Sequence, residues 1–199
     1  MSVIIKYIIY IIIFIALIFG YFVFTPFGKQ QIYNSVASTI EKEIGLNVEV
    51  ESMEILEYPY IEADMLVEGK YNLNVKGYLE DDHLDMDYKL TGNCLQTDIC
   101  TIDDEIGILG HMKGPTDNVH VTGEGKALDG NVSYVWTKEN DYFKDLKLVM
   151  HDINSSKLFT LLGEKPVFKG RANANIHFDH IGEEGKKGTV VYEINNENI

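Results

Sequence analysis

Only two cysteines, Cys94 and Cys100, occur in the 199 residues, and positive charge is scarce. Lys and Arg total 17 against 31 Asp and Glu, a formal net charge of −14. Two cysteines without a second pair do not make a four-ligand structural zinc site. In an oxidising compartment they can close a small loop as a disulfide, or they can remain two buried thiols. The acidic balance argues against a nucleic-acid binder, which needs basic surface to neutralise phosphates. It argues equally against a domain lying flat on anionic lipid. The sequence also lacks a Gly-x-Ser-x-Gly elbow, a Gly-Lys-Ser phosphate loop, a dinucleotide fingerprint and a His-Glu-x-x-His helix. The acidic run Asp81, Asp82, His83, Asp85 and Asp87 has neither the glycine nor the closing glutamate of an EF-hand loop. The histidines at 83, 111, 120, 151, 177 and 180 fall mostly on the polar side of strand patterns. No catalytic residue, metal site or cofactor is assigned, and the chain is expected not to be an enzyme.

What is present begins with a long apolar run. Tyr7 to Phe24 reads YIIYIIIFIALIFGYFVF without a charge, and Val3, Ile4 and Ile5 extend it across Lys6. As a helix, Val3 to Phe24 reaches about 33 Å, enough for a hydrocarbon core of about 30 Å. No small-x-small cleavage site follows, since Tyr21, Phe22, Val23 and Phe24 fill that place. Residues 1–24 are therefore expected to form an uncleaved single-pass anchor. Lys6 and the amino terminus keep the short N-terminal end cytoplasmic, with the bulk of the chain exported.

Residues 25–45 predict an amphipathic juxtamembrane helix. Pro26 suits its first turn, Ile32, Val36, Ile40 and Ile44 recur every four residues beside Tyr33 and Ala37, and Gly45 ends it. From residue 46 to 199 the period becomes two. Leu84, Met86, Tyr88 and Leu90 alternate with polar residues, as do Val119 and Val121, Val132, Tyr134 and Trp136, and Leu146, Leu148 and Met150. Ala172 to Phe178 and Val190 to Ile194 continue the pattern. Turn signals at Glu80-Asp81-Asp82, Pro115 to Asn118, Asp129-Gly130 and Glu183-Glu184-Gly185 separate these runs. One short helix interrupts them, capped at Asn154 or Ser155, with Leu158, Leu161 and Leu162 inward and Gly163 at its end. The fold class is mainly β: an antiparallel meander forming a curved sheet, open barrel or groove. The final strand signal, Val190 to Ile194, is followed by no cap, so a partner or a continuation of the chain is expected to cover it.

Anchor, helix, the strand LNVEVESMEI, glycine-punctuated hairpins such as GPTDNVHVTGEGKALDGNVSY, and HDINSSKLFTLLGEKPVFKGRANANIHFD follow in that order. This order resembles the AsmA-like proteins of the Gram-negative envelope, relatives of the TamB-type bridging proteins. The best local match runs from Asp152 to Phe178. The resemblance implies an inner-membrane anchor, a periplasmic curved sheet, and a concave face that holds phospholipid acyl chains during transport. The chain is much shorter than usual members. Leu84, Met86, Tyr88, Val119, Val121, Val132, Tyr134, Leu146 and Leu148 are the candidate lining residues. Either they face lipid, or a second layer covers them as an ordinary core.

Overall fold

The structure, a computed structural model, describes residues 26–96, 101–140, 142–166, 169–182 and 185–196. A helix, α1 (Pro26–Ile44), leads into β1 (Val48–Glu57), β2 (Tyr60–Val67), β3 (Tyr71–Glu80), β4 (His83–Gln96) and β5 (Thr101–Pro115). These are followed by β6 (Asn118–Ala127), β7 (Gly130–Glu139), β8 (Tyr142–Asn154), a short helix α2 (Ser155–Leu161), β9 (Gly170–Gly182) and β10 (Gly185–Asn196). All ten strands join one antiparallel sheet in chain order, β1 to β10, and the sheet does not close. The ten described strands thus form the meander expected from the alternating pattern. The apolar run at residues 1–24 lies outside the described residues. Among those described, no helix is long and apolar enough to cross a membrane.

The sheet curls over one face. Met86, Tyr88 and Val121 are all less than a tenth exposed, although neither helix packs on them and, among the described residues, no second sheet lies over them. A flat layer would leave such side chains wet on one side, so their burial reports curvature toward the apolar face. Glycine makes room for it. By the pairing register Gly77, Gly110, Gly123 and Gly125 all sit on this inner face, where converging side chains would crowd.

The two helices pack against different parts of that face. Tyr33, Val36, Ala37 and Ile40 of α1 pack against Val48, Val50, Met65 and Val67. Polar groups of α1 also occupy the backbone of β1. The Glu41 carboxylate accepts from Val48 N–H at 3.0 Å, and the Tyr33 hydroxyl both donates to Met53 C=O and accepts from Met53 N–H at 3.2 Å. Against β5, β8 and β9, Leu158 and Leu161 of α2 join Leu128, Val132, Met150, Ile153, Ala172 and Ala174. Asn154 caps α2, its side-chain oxygen accepting from the N–H groups of Ser156 and Lys157. Leu162, expected to face inward, is instead two-thirds exposed, because it is the C-cap residue and the chain turns away at Gly163 with φ +77°.

Candidate functional site

The inner face carries an uninterrupted apolar row. Following the register, Val50 opposes Met65, then Leu73, Leu90 and Ile108. The row continues through Gly125, Val132, Met150 and Ala174 to Tyr192 on β10. A parallel row runs through Ala63, Val75, Tyr88, Gly110, Gly123, Tyr134, Leu148, Ile176 and Val190. A one-residue slip in any strand would move its apolar set to the outside, so ten consecutive strands in register make one continuous surface.

All nine candidate lining residues lie on this face. Met86, Tyr88, Val119, Val121 and Val132 are buried, and Leu84, Tyr134, Leu146 and Leu148 are half-buried. Tyr88, Val119 and Val121 form its middle, with Leu84 and Tyr134 against them. Cys94 is half-buried on β4, while Cys100, and with it the pairing of the two, lies outside the described residues.

The middle of the face is shaped by two tyrosines laid over two glycines. Tyr88 opposes Gly110 and Tyr134 opposes Gly123. A Cβ on Gly123 would stand 2.6 Å from the Tyr134 hydroxyl and 2.8 Å from that of Tyr88, so only glycine admits both. The two hydroxyls meet at 2.5 Å, and Tyr88 donates to Thr122 C=O at 2.9 Å. Burial, joined by the Tyr134 hydrogen bond, pushes the Tyr88 phenol far above its ordinary range, and burial raises Tyr134 as well. Both stay neutral, and their polar ends are used on each other and on the backbone. What the two tyrosines present inward is therefore hydrocarbon and aromatic surface.

An ionic latch closes the α2 end. Asp104 of β5, its side chain fully buried, accepts from Leu128 N–H at 2.6 Å, Asp129 N–H at 3.2 Å and the Lys157 ammonium at 2.8 Å. Lys157 also reaches Asp129 at 2.7 Å, and Asn154 donates to the same carboxylate at 3.1 Å. Hydrogen bonding to Lys157 holds the Asp129 carboxyl below its usual range. Burial works to lower Lys157, but the two carboxylates outweigh it and its net shift is upward. The depressed Asp129 contributes stability above its unfolded value of about 3.9 and loses it as pH falls through the lower folded value. The raised Lys157 contributes below its unfolded value of about 10.4 and loses it as pH rises through the higher one. The thermal midpoint is accordingly expected to be level from about pH 5 to 8 and to fall below about pH 4. Asp129→Asn is expected to flatten part of that acid limb; an unchanged limb in that variant would detach it from the latch.

The outer face is wetter and carries an ion-pair ladder. Lys113 binds Asp85 at 2.5 Å, and His111 lies between Asp85 at 3.1 Å and Asp87 at 2.9 Å. Two members of the acidic run are thus engaged across β4 and β5, in exposed pairs of small individual value. An open depression of about 510 Å³ on this face is lined by Leu109, Lys126, Val149 and His151 among others. Leu109 and Val149 are exposed apolar residues that sequence reading did not single out. Their only signal was a break in alternation, Ile108-Leu109 on β5 and Leu148-Val149 on β8.

No family model matches the chain, and no curated protein or solved structure is significantly similar to it. What the fold defines is a class by shape: a single curved antiparallel sheet, apolar within, with one helix against β1 and another against β5, β8 and β9.

Proposed function

We propose that this chain is a lipid-handling envelope protein of the AsmA-like kind. In this reading it is anchored in the inner membrane by residues 1–24, with its sheet in the periplasm and its inner face receiving phospholipid acyl chains. Its role is phospholipid transport or outer-membrane homeostasis. The observation that carries the reading is an apolar inner face in register through all ten strands, with no second sheet over it among the described residues and neither helix packed on its middle at Tyr88, Val119 and Val121. An apolar sheet face is stable only when something covers it, and over the middle of this one the cover in this reading is an elongated apolar guest.

The test is lipid mass spectrometry on the full chain, extracted gently and compared with an unrelated anchored β protein. Near-stoichiometric phospholipid carried through purification is expected. A folded, lipid-free protein would make the inner face an ordinary core. Leu148→Asn sharpens the distinction: it should leave folding intact and remove the lipid. If the face is a core, the same change costs about 1–3 kcal/mol for a buried polar group left unpaired.

A second reading, a non-enzymatic envelope assembly factor that pairs with a partner through an edge strand, is favoured by one observation. The side chains of Val190, Val191 and Tyr192 on β10 are all more than half exposed.

A further inference from the structure

The two edges of the sheet are not equivalent. At β1 the Glu41 carboxylate and the Tyr33 hydroxyl already take the backbone groups of Val48 and Met53. A strand added along Val48 to Met53 would have to displace α1. Among the described residues, the β10 backbone pairs with β9 on one side and with no strand on the other. An uncovered edge with apolar side chains on both faces is a template for another strand.

We propose that the strand it accepts is β10 of a second copy, antiparallel, about a two-fold axis through Val190, giving one continuous sheet of twenty strands from two ten-stranded halves. This does not depend on what the inner face binds. Three features select the occupant. First, β10 carries Lys186, Lys187 and Glu193 and is the one strand of the ten with a net positive formal charge, in a chain of net charge −14. Self-pairing there avoids the repulsion expected elsewhere on the surface.

Second, the charges are placed for it. When the apolar faces of both copies stay on one side, the two-fold pairing must set one residue opposite itself. Among such registers only the one through Val190 sets Lys187 opposite Glu193, and symmetry makes that pair twice. Both residues are exposed. In the same register Tyr192 faces Gly188 of the second copy, beside the Phe178 ring that already leans over that glycine. The inner rows ending at Val190 and Tyr192 then continue into the second copy.

Third, α1 on the Val48 to Met53 part of the β1 edge opposes the head-to-tail alternative. Joining β10 to β1 of the next copy would build an open fibre; joining β10 to β10 closes after two.

The test uses the full chain in detergent. Sedimentation is expected to give a concentration-dependent dimer. Lys187→Glu and Glu193→Lys should each weaken it about ten-fold, since each turns two attractive cross-strand pairs repulsive. The double exchange should restore it. With Cys94 and Cys100 replaced by Ser, Val190→Cys should cross-link to itself on mild oxidation, and Val191→Cys should not. Circular dichroism checks that each variant keeps its sheet. A monomer at all concentrations, single reversals without effect, a double exchange that fails to restore the dimer, or open higher oligomers would each overturn the proposal. So would Val190→Cys capturing a different protein in place of a second copy.

Discussion

Asp104→Ala is expected to lower stability by about 3–5 kcal/mol, the range for removing one partner of a buried ion pair. The reason is what the carboxylate holds. Leu128 and Asp129 form the tip of the β6–β7 hairpin, both with φ near +60°, at +56° and +59°. Left-handed backbone is common in two-residue hairpin turns, but leucine is a poor choice for it. Leu128 is kept because its side chain, 3% exposed, belongs to the cluster beneath α2. The two N–H groups of that turn point at Asp104, which also receives Lys157. Without the carboxylate, two backbone donors lose their acceptor in a strained turn, and a partly buried ammonium keeps only Asp129. Asp104→Asn preserves shape and one acceptor but not the charge, and should cost about half as much. Urea midpoints of the three proteins measure this. A loss below about 1 kcal/mol for Asp104→Ala would mean that water substitutes for the carboxylate and the latch is peripheral. A second outcome is expected to follow: α2, tied to β5 by Lys157, should lose protection from amide exchange before the rest of the sheet does.

The sequence made the broad architecture readable, for a physical reason visible strand by strand. A sheet with one dry face imposes period two, and β4, β6, β7 and β8 show it plainly at Met86 and Tyr88, Val119 and Val121, Val132 and Tyr134, and Leu146 and Leu148. Two strands were harder to see. Along β5 the inner positions are Ile106, Ile108, Gly110, Met112 and Gly114, so glycines stand where apolar residues would mark the face. Leu109, outward, then blurs the alternation further. Along β2 the inner set is Ile61, Ala63, Met65 and Val67, but Leu66 faces out and closes the run into an apolar block. The pairings that shape the site were not readable at all. Tyr88 meets Tyr134 across 46 residues, and Lys157 meets Asp104 across 53. Such contacts depend on accumulated register and curvature, which no local pattern carries. In the sequence the glycines read as turn punctuation, whereas several of them lie inside strands, where they let the sheet bend.

That last role supplies the other large effect. Gly125→Ala is expected to cost about 3 kcal/mol, at the top of the range for overpacking, although it adds only a methyl group. On β6, Gly125 opposes Ile108, and a Cβ there would stand 2.9 Å from the carbonyl carbon of Gly107 and 2.8 Å from the Ile108 Cα, with the Gly107 carbonyl oxygen closer still. These are backbone atoms of the neighbouring strand, so no rotamer change relieves the contact. β5 and β6 must separate, at the point where the apolar row crosses from one half of the sheet to the other. Gly107 is the internal control: it lies on the same β5 strand but is exposed, and a Cβ there meets nothing within 4 Å. Gly107→Ala should be neutral to slightly stabilising, because glycine in a strand loses more backbone entropy on folding than alanine does. The comparison is read from thermal and urea midpoints of the two variants side by side. If both are equally mild, the sheet opens freely between β5 and β6, and its curvature is not held by the absence of side chains there. If Gly125→Ala alone collapses, the bend that makes the inner face concave is set by glycine at the β5–β6 crossing. Any guest of that face then meets a preformed surface, with no opening step required of the sheet.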